Sequence, residues 1–182
     1  MVIEKTKTAI VVLLCILLVP LIVQAQPKPR IEFDRLIAAL PNLPWDFEIR
    51  YVVENGASTD MLRIHYDGGV DLVRWRQEYP GSLASVCHST LDEKRLRRVL
   101  ELLRDKRFND LPSDNETLMT VALTGETTVS VRVGKLIVRK IDRHQVEIAG
   151  LKDIEAAFDA MITEIAADPK AKCGMESVPA KP

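Results

Sequence analysis

Apolar residues recur at the three- and four-residue spacing of an amphipathic helix in three stretches of the chain. These stretches are residues 31–40, 91–106 and 151–167, and a proline follows closely after the first and the last of them. The middle stretch has Thr90 and Glu93 at the T-x-x-E spacing of a capping box, which satisfies free amides of a first helical turn. The pattern therefore predicts three helices, the first of them short, and places the N-cap of the second at Thr90.

The segments between these helices alternate apolar and polar residues with the two-residue period of a β-strand. Asp67-Gly68-Gly69 separates two such runs and predicts a β-hairpin, because glycine tolerates the positive φ angles of a tight turn. The first half has a strand-like segment at 47–53, this hairpin at 62–75 and a further extended stretch near 83–87. The second half has strand-like segments at 117–124, 128–133 and 136–142.

This order of elements predicts an α+β domain: a helix, three strands, a helix, three strands and a closing helix. Each strand has one apolar face and each helix one apolar stripe. About six antiparallel strands in β-meanders are therefore expected to carry the two main helices on one face. The pattern leaves open whether the strands form one sheet or two, and whether Trp45 or Phe47 is buried at the turn before the first strand.

The N-terminal segment has the pattern of a secretory signal peptide, which we assign to residues 1–25. A mildly basic start precedes an apolar run from Ala9 to Val23, and the following residues suit cleavage between Ala25 and Gln26. The run is shorter than the roughly 20 residues of a membrane-spanning helix, although an uncleaved anchor is the alternative. We therefore expect a secreted or periplasmic protein, or else one anchored in the inner membrane and facing outside the cytoplasm.

The rest of the chain divides into three parts. Residues 26–30 form a Pro-rich spacer, residues 31–168 a single α+β domain and residues 169–182 a flexible tail. The formal net charge of −1 and the mixed signs of the surface charges give no basis for nucleic-acid binding. Contact with a membrane is expected only through the N-terminal segment, if that segment stays uncleaved.

Two neighbouring segments resemble a known group of proteins. Leu62–Val70 has the form L-x-I-x-x-D-G-x-V, and Leu100–Pro112 has the form L-x-L-L-x-x-x-x-F-x-x-L-P. Together they resemble uncharacterised exported bacterial domains, in which a strand pair with an Asp-Gly turn precedes a helix ending in F-x-x-L, further strands and a closing helix. The resemblance covers residues 47–167, and it implies the fold and an exported bacterial setting but no activity.

Cys87 and His88 stand side by side before the second predicted helix and suggest a reactive pair. Adjacent residues of an extended segment point to opposite faces, so the base for Cys87 would have to be His65 or His144. The segment also lacks a glycine-flanked nucleophile motif. These observations argue against a catalytic cysteine.

Cys87 and Cys173 are the two cysteines outside the predicted signal peptide. Export to an oxidising compartment favours a disulfide between them, which would pin the predicted tail to the domain. Because Cys173 lies in the least constrained part of the sequence, two unpaired thiols are the alternative.

A metal site would require several side chains distant in sequence to converge. The candidates are His65, His88, His144, Asp67, Asp142 and Cys87. They show no H-x-x-H, C-x-x-C or H-x-H spacing that would build half of a site, so we predict neither a metal nor another cofactor.

The sequence favours an exported, non-enzymatic binding domain. Its partner would be an envelope protein, a peptide or a small ligand, held by the sheet face or its loops. The first alternative is a small exported enzyme that uses Cys87 or a histidine. The second is an envelope protein anchored in the membrane by its uncleaved N-terminal helix.

Overall fold

The computed structural model of this protein describes residues 30–76, 83–112, 125–142 and 148–178. The predicted signal peptide with its Ala25–Gln26 cleavage site, the predicted strand at 117–124 and His144 lie outside these ranges. Within them, no helix is both long enough and apolar enough to cross a membrane.

The described part of the chain contains three α-helices, one 3-10 helix and seven strands. The helices are α1 (Phe33–Ala39), α2 (Glu93–Asp105), the 3-10 helix (Phe108–Asp110) and α3 (Ala149–Ala167). The strands are β1 (Glu48–Glu54), β2 (Ser58–His65), β3 (Gly69–Arg76), β4 (Leu83–Thr90), β5 (Glu126–Val133), β6 (Leu136–Asp142) and β7 (Lys172–Ser177). The predicted helices are therefore present, with boundaries close to those expected from the apolar spacing.

The seven strands form one antiparallel sheet in the order β6-β5-β1-β2-β3-β4-β7. This arrangement confirms the predicted α+β class and shows that both halves of the chain share one sheet. Four strands precede α2 rather than the predicted three, because the two runs of the hairpin are separate strands. The stretch near 83–87 is a full strand whose pairing with β3 extends to Thr90, opposite Gly69.

The two longer helices carry the chain across the sheet. α2 leads from β4 to β5, which lies beside β1, and α3 leads back from β6 to β7 at the opposite edge. Apolar residues of all three helices join one face of the sheet in a single buried cluster. Phe47 belongs to this cluster and is 2% exposed, whereas Trp45 is 80% exposed. Phe47 is therefore the aromatic residue buried at the turn before β1.

The N-cap of α2 is Asp92, whose side chain accepts a hydrogen bond from the Arg95 backbone N–H at 2.7 Å. The prediction of Thr90 as the cap is wrong, because Thr90 is the last residue of β4. Strand pairing with Gly69 holds Thr90 in extended conformation two residues before the cap. A carboxylate at this position also interacts favourably with the positive end of the helix dipole.

The β2–β3 hairpin confirms the predicted glycine turn. Gly68 has a φ angle of 80°, which is in the left-handed region, and Asp67 Oδ1 accepts a hydrogen bond from the Gly69 N–H at 2.9 Å. The backbone of Gly68 also accepts a hydrogen bond from the Leu91 N–H at 2.8 Å. A Cβ at Gly68 would lie 2.7 Å from the Leu91 carbonyl oxygen, so both the turn and this contact require glycine.

The segment predicted as a flexible tail contains strand β7. This strand pairs with β4 from Leu83 opposite Ser177 to His88 opposite Lys172, so the tail prediction is wrong for these residues. All six residues of β7 are exposed, which explains why their sequence shows no buried-strand pattern. An edge strand is held by backbone hydrogen bonds to one neighbour and needs little apolar surface.

We expect the Asp92→Ala variant to lose about 1 kcal/mol of unfolding free energy, because the first turn of α2 loses its cap. Asp92→Asn, which keeps an oxygen at the same place, should lose far less. Chemical denaturation monitored by circular dichroism measures both values. A larger loss for Thr90→Ala than for Asp92→Ala would contradict the assignment of the cap.

Candidate functional site

The two faces of the sheet differ in chemistry. Side chains alternate along each strand, so Ile49 and Tyr51 of β1 point to the helices while Glu48, Arg50 and Val52 point away from them. We call the side bearing Glu48, Arg50 and Val52 the second face. Among the described residues, the apolar cluster on this face consists of strand residues and Val178.

Two rows of register partners run side by side across the second face. The charged row joins Arg50, Arg63, Asp71 and His88 from four consecutive strands. The apolar row, two residues further along each strand, joins Val52, Met61, Val73 and Val86. Trp75 and Ala84 extend the apolar surface beyond this row. The face therefore places ionic groups about 7 Å from a strip of buried apolar side chains.

A concave pocket of about 460 Å³ lies over the junction of the two rows. We call it the second-face pocket. Its lining consists of Arg50, Met61, Arg63, Asp71, Val73, Trp75, Val86, His88, Glu176 and Val178. Its size and its mixture of apolar walls with a few convergent polar groups are typical of small-molecule sites.

Three arginines surround one carboxylate at the β1 side of the charged row. Glu48, which is largely buried, contacts Arg50 at 3.0 Å, Arg63 at 3.5 Å and Arg132 at 3.6 Å. One negative charge cannot balance three guanidinium groups, which stay protonated at physiological pH. This end of the row therefore carries excess positive charge.

Asp71 lies between two histidines at the other side of the row. Its Oδ2 is 2.9 Å from His65 Nε2, and its Oδ1 is 2.8 Å from His88 Nδ1. The second nitrogen of His88 lies 3.1 Å from Glu176 Oε1 on β7. Because carboxylates only accept hydrogen bonds, the protonated His88 ring, with two N–H groups, satisfies both of its contacts.

These contacts change the proton affinity of two groups. The hydrogen bonds to Asp71 and Glu176 raise the pKa of His88 above its ordinary value of 6.5, against a smaller opposing effect of burial. Burial alone would raise the pKa of Asp71, but the hydrogen bonds and the charge attraction of His65 and His88 together outweigh it and lower that pKa below 3.8. The chain of contacts thus favours an ionised Asp71 beside a protonated His88.

Another concavity, of about 630 Å³, lies beside the 3-10 helix. Its charged residues form ion pairs with one another: Arg30 and Arg107 with Asp110, Arg35 with Glu32, and Arg104 with Asp34. Each of these four arginines therefore contacts one of the three carboxylates within the described lining. The second-face pocket, which places ionic groups beside a continuous strip of apolar side chains, is the better candidate for a ligand.

Cys87 and His88 point to opposite faces of β4, as predicted. Cys87 is buried in the cluster under the helices, whereas His88 lies on the second face. Cys87 and Cys173 are register partners of β4 and β7 and form a disulfide. The sulfur of Cys87 is therefore bonded and separated by the sheet from the histidines of the second face.

His65 and His88 do converge, but on Asp71 rather than on the candidate Asp67. Asp67 instead accepts its hydrogen bond within the hairpin turn. The candidates His144 and the side chain of Asp142 lie outside the described part of the structure. Among the residues that are described, no group of three or more His, Cys, Asp or Glu side chains is arranged to hold a metal ion.

Asp71, Arg50, Arg63 and Trp75 were missed by the reasoning from sequence. A usable signal existed for Asp71, because the Gly68 turn sets a register in which Asp71 lies opposite Arg63. The same turn places Trp75 opposite Thr59. Asn55-Gly56, with Gly56 at a φ angle of 71°, was a comparable signal for the β1–β2 pairing that places Arg50 opposite Arg63.

Comparison with protein-family models and with curated proteins finds no match to this chain. The resemblance to uncharacterised exported domains stays a prediction. The functional interpretation therefore depends on the geometry of the second-face pocket.

We expect the His88 contacts to stabilise the fold most in mildly acidic solution. The contribution of His88 is present below about pH 6.5 and is lost as the pH rises through its higher folded-state pKa. The contribution of Asp71 is present above about pH 3.8 and is lost as the pH falls through its lower folded-state pKa. Urea denaturation at about pH 5.5 and 8.5 should show that His88→Gln costs more stability at the lower pH.

NMR titration of the His88 ring provides the direct control. Its pKa should exceed 6.5 in the wild type and decrease in Asp71→Asn, which removes the larger of the two hydrogen-bond effects. An equal cost of His88→Gln at both pH values, or an unchanged His88 titration in Asp71→Asn, would contradict this account.

Proposed function

We propose that this protein is an exported, non-enzymatic domain that binds a small ligand in the second-face pocket. The observation that carries the proposal is the position of this pocket, where a row of ionic side chains adjoins a strip of apolar ones. Apolar walls contribute affinity through burial, while a few fixed polar groups orient a ligand. Among the partners considered from the sequence, an envelope protein, a peptide or a small ligand, a pocket of about 460 Å³ favours the last.

The alternative of a small enzyme has less support. A thiol nucleophile at Cys87 would require reduction of the disulfide, and the sulfur faces the helices rather than the pocket. Both nitrogens of His88 already contact carboxylates, so neither is available as a general base in this arrangement.

We expect a screen of chemically diverse small molecules to find compounds that raise the melting temperature of the purified protein. A ligand at about 100 times its Kd contributes about 2.7 kcal/mol, or roughly 5–10 °C for a chain of this size. Val178→Trp, which fills the rim of the pocket, should abolish the shift. Met175→Trp, a change of the same kind at an exposed residue on the opposite face of β7, should preserve it.

Two results would count against the proposed site. One is a screen without any stabilising compound. The other is an equal shift in Val178→Trp and in the wild type, because the ligand would then bind outside the second-face pocket.

The proposed export has its own test. A signal peptide cleaved after Ala25 predicts an exported product that begins at Gln26, with Cys87 and Cys173 oxidised. Intact-mass analysis of the protein recovered from the periplasm of an expression host measures both properties at once. A mass that includes residues 1–25 would instead favour the anchored form, and a reactive thiol would favour the enzyme alternative.

A further inference from the structure

Three buried side-chain atoms in the lining of the second-face pocket have no hydrogen-bond partner in the described part of the chain, and all three are donors. They are Arg50 Nε, Arg63 Nε and Trp75 Nε1, none of which forms a hydrogen bond with a described residue, although Arg63 Nε lies 3.5 Å from Glu48 Oε2 in an ion pair. Trp75 is only 9% exposed, so water has little access to its indole N–H. A buried donor without an acceptor costs free energy, and a ligand that supplies acceptors would recover it.

The charge at the end of the pocket formed by Arg50 and Arg63 favours the same ligand chemistry. Arg50 and Arg63 share Glu48 with Arg132, so their guanidinium groups are not neutralised. Asp71 stands directly opposite Arg63 in the strand register, but its two carboxylate oxygens contact His65 and His88 instead. The strongest interaction that a ligand could add at this end of the pocket is therefore between a guanidinium group and an oxyanion.

The apolar row defines the rest of the ligand. Met61, Val73 and Val86 form an apolar strip beside the charged row, and Trp75 continues this strip. A fully charged or sugar-like ligand would leave this strip without a partner, whereas an alkyl or aryl body would cover it. The head and body of the ligand must be separated by only a few bonds, because the two rows are about 7 Å apart.

We propose that the second-face pocket binds an amphipathic oxyanion. A carboxylate or phosphate head contacts Arg50 and Arg63, and an apolar body lies over Met61, Val73 and Val86. This inference rests on the proposed binding function and specifies its ligand class. The indole N–H of Trp75 offers a further donor to an oxygen carried on the body.

Trp75 provides the signal for a direct test. The chain has two tryptophans, and the other, Trp45, is 80% exposed on a different part of the fold. In a Trp45→Phe background, the fluorescence of Trp75 reports occupancy of the pocket. Octanoate, octyl phosphate, octanol and octylamine share one apolar body and differ only in the head group.

Octanoate, octyl phosphate or both should shift the Trp75 emission at concentrations at which octanol and octylamine do not. Arg50→Gln and Arg63→Gln should each weaken this binding about ten-fold or more, because each removes a charge-assisted hydrogen bond. Arg97→Gln, which removes the same charge from the exposed surface of α2, should leave it unchanged. If Arg50→Gln does not fold, Arg50→Lys keeps the charge, loses the bidentate fork and should bind with intermediate affinity.

The negative outcomes of this test distinguish an error in the proposed ligand class from an error in the proposed binding function. Equal binding of octanol or octylamine would overturn the oxyanion class while leaving a ligand pocket in place. Unchanged affinity in Arg50→Gln and Arg63→Gln would also overturn it. Absence of binding by all four compounds overturns the amphipathic oxyanion, and the outcome of the broader screen then decides whether the pocket binds anything else.

Discussion

The structure depends on one constraint: successive side chains of a β-strand point to opposite faces of the sheet. In a single antiparallel sheet this alternation gives one face to the helices and the other to the ionic and apolar rows. It explains why Cys87 is buried under the helices while its neighbour His88 contacts Asp71 on the other side. A shift of one residue in the pairing would exchange the two faces, so burial of the core also fixes the positions of the site residues.

The helices determine which strands become neighbours. α3 returns the chain to the far edge of the sheet, where β7 pairs with β4 and Cys173 bonds to Cys87. The same pairing brings Glu176 to His88, although 88 residues separate them in the chain. The Tyr51 hydroxyl donates a hydrogen bond to Asp159 at 2.8 Å and joins strand β1 to α3 on the covered face. Packing on the helix face thus positions groups on the second face without contacting them.

Reasoning from the sequence succeeded for features that depend only on neighbouring residues in the chain. The three helices follow from apolar spacing, and the Gly68 turn follows from the φ angle that glycine permits. It failed where two local signals competed, as at Thr90, whose capping motif lost to strand pairing with Gly69. It also failed for β7, an exposed edge strand whose six residues need no apolar alternation because they bury no side chains. Part of the site could not be predicted, because partners such as His88 and Glu176 are 88 residues apart in the chain and no turn signal records the pairing of their strands.

The sequence by itself determined the α+β class, the helix stripes and the separation of Cys87 from His88. These properties follow from periods of 3.6 and 2 residues, which the backbone imposes on every chain. Only the tertiary structure decided that seven strands share one sheet, that β7 joins β4 and that three arginines face one buried glutamate. The physical reason is that pairing between distant strands is selected by the burial of the whole core. The ionic groups of the second face are therefore positioned by apolar packing on the opposite side of the sheet, which no local pattern in the sequence records.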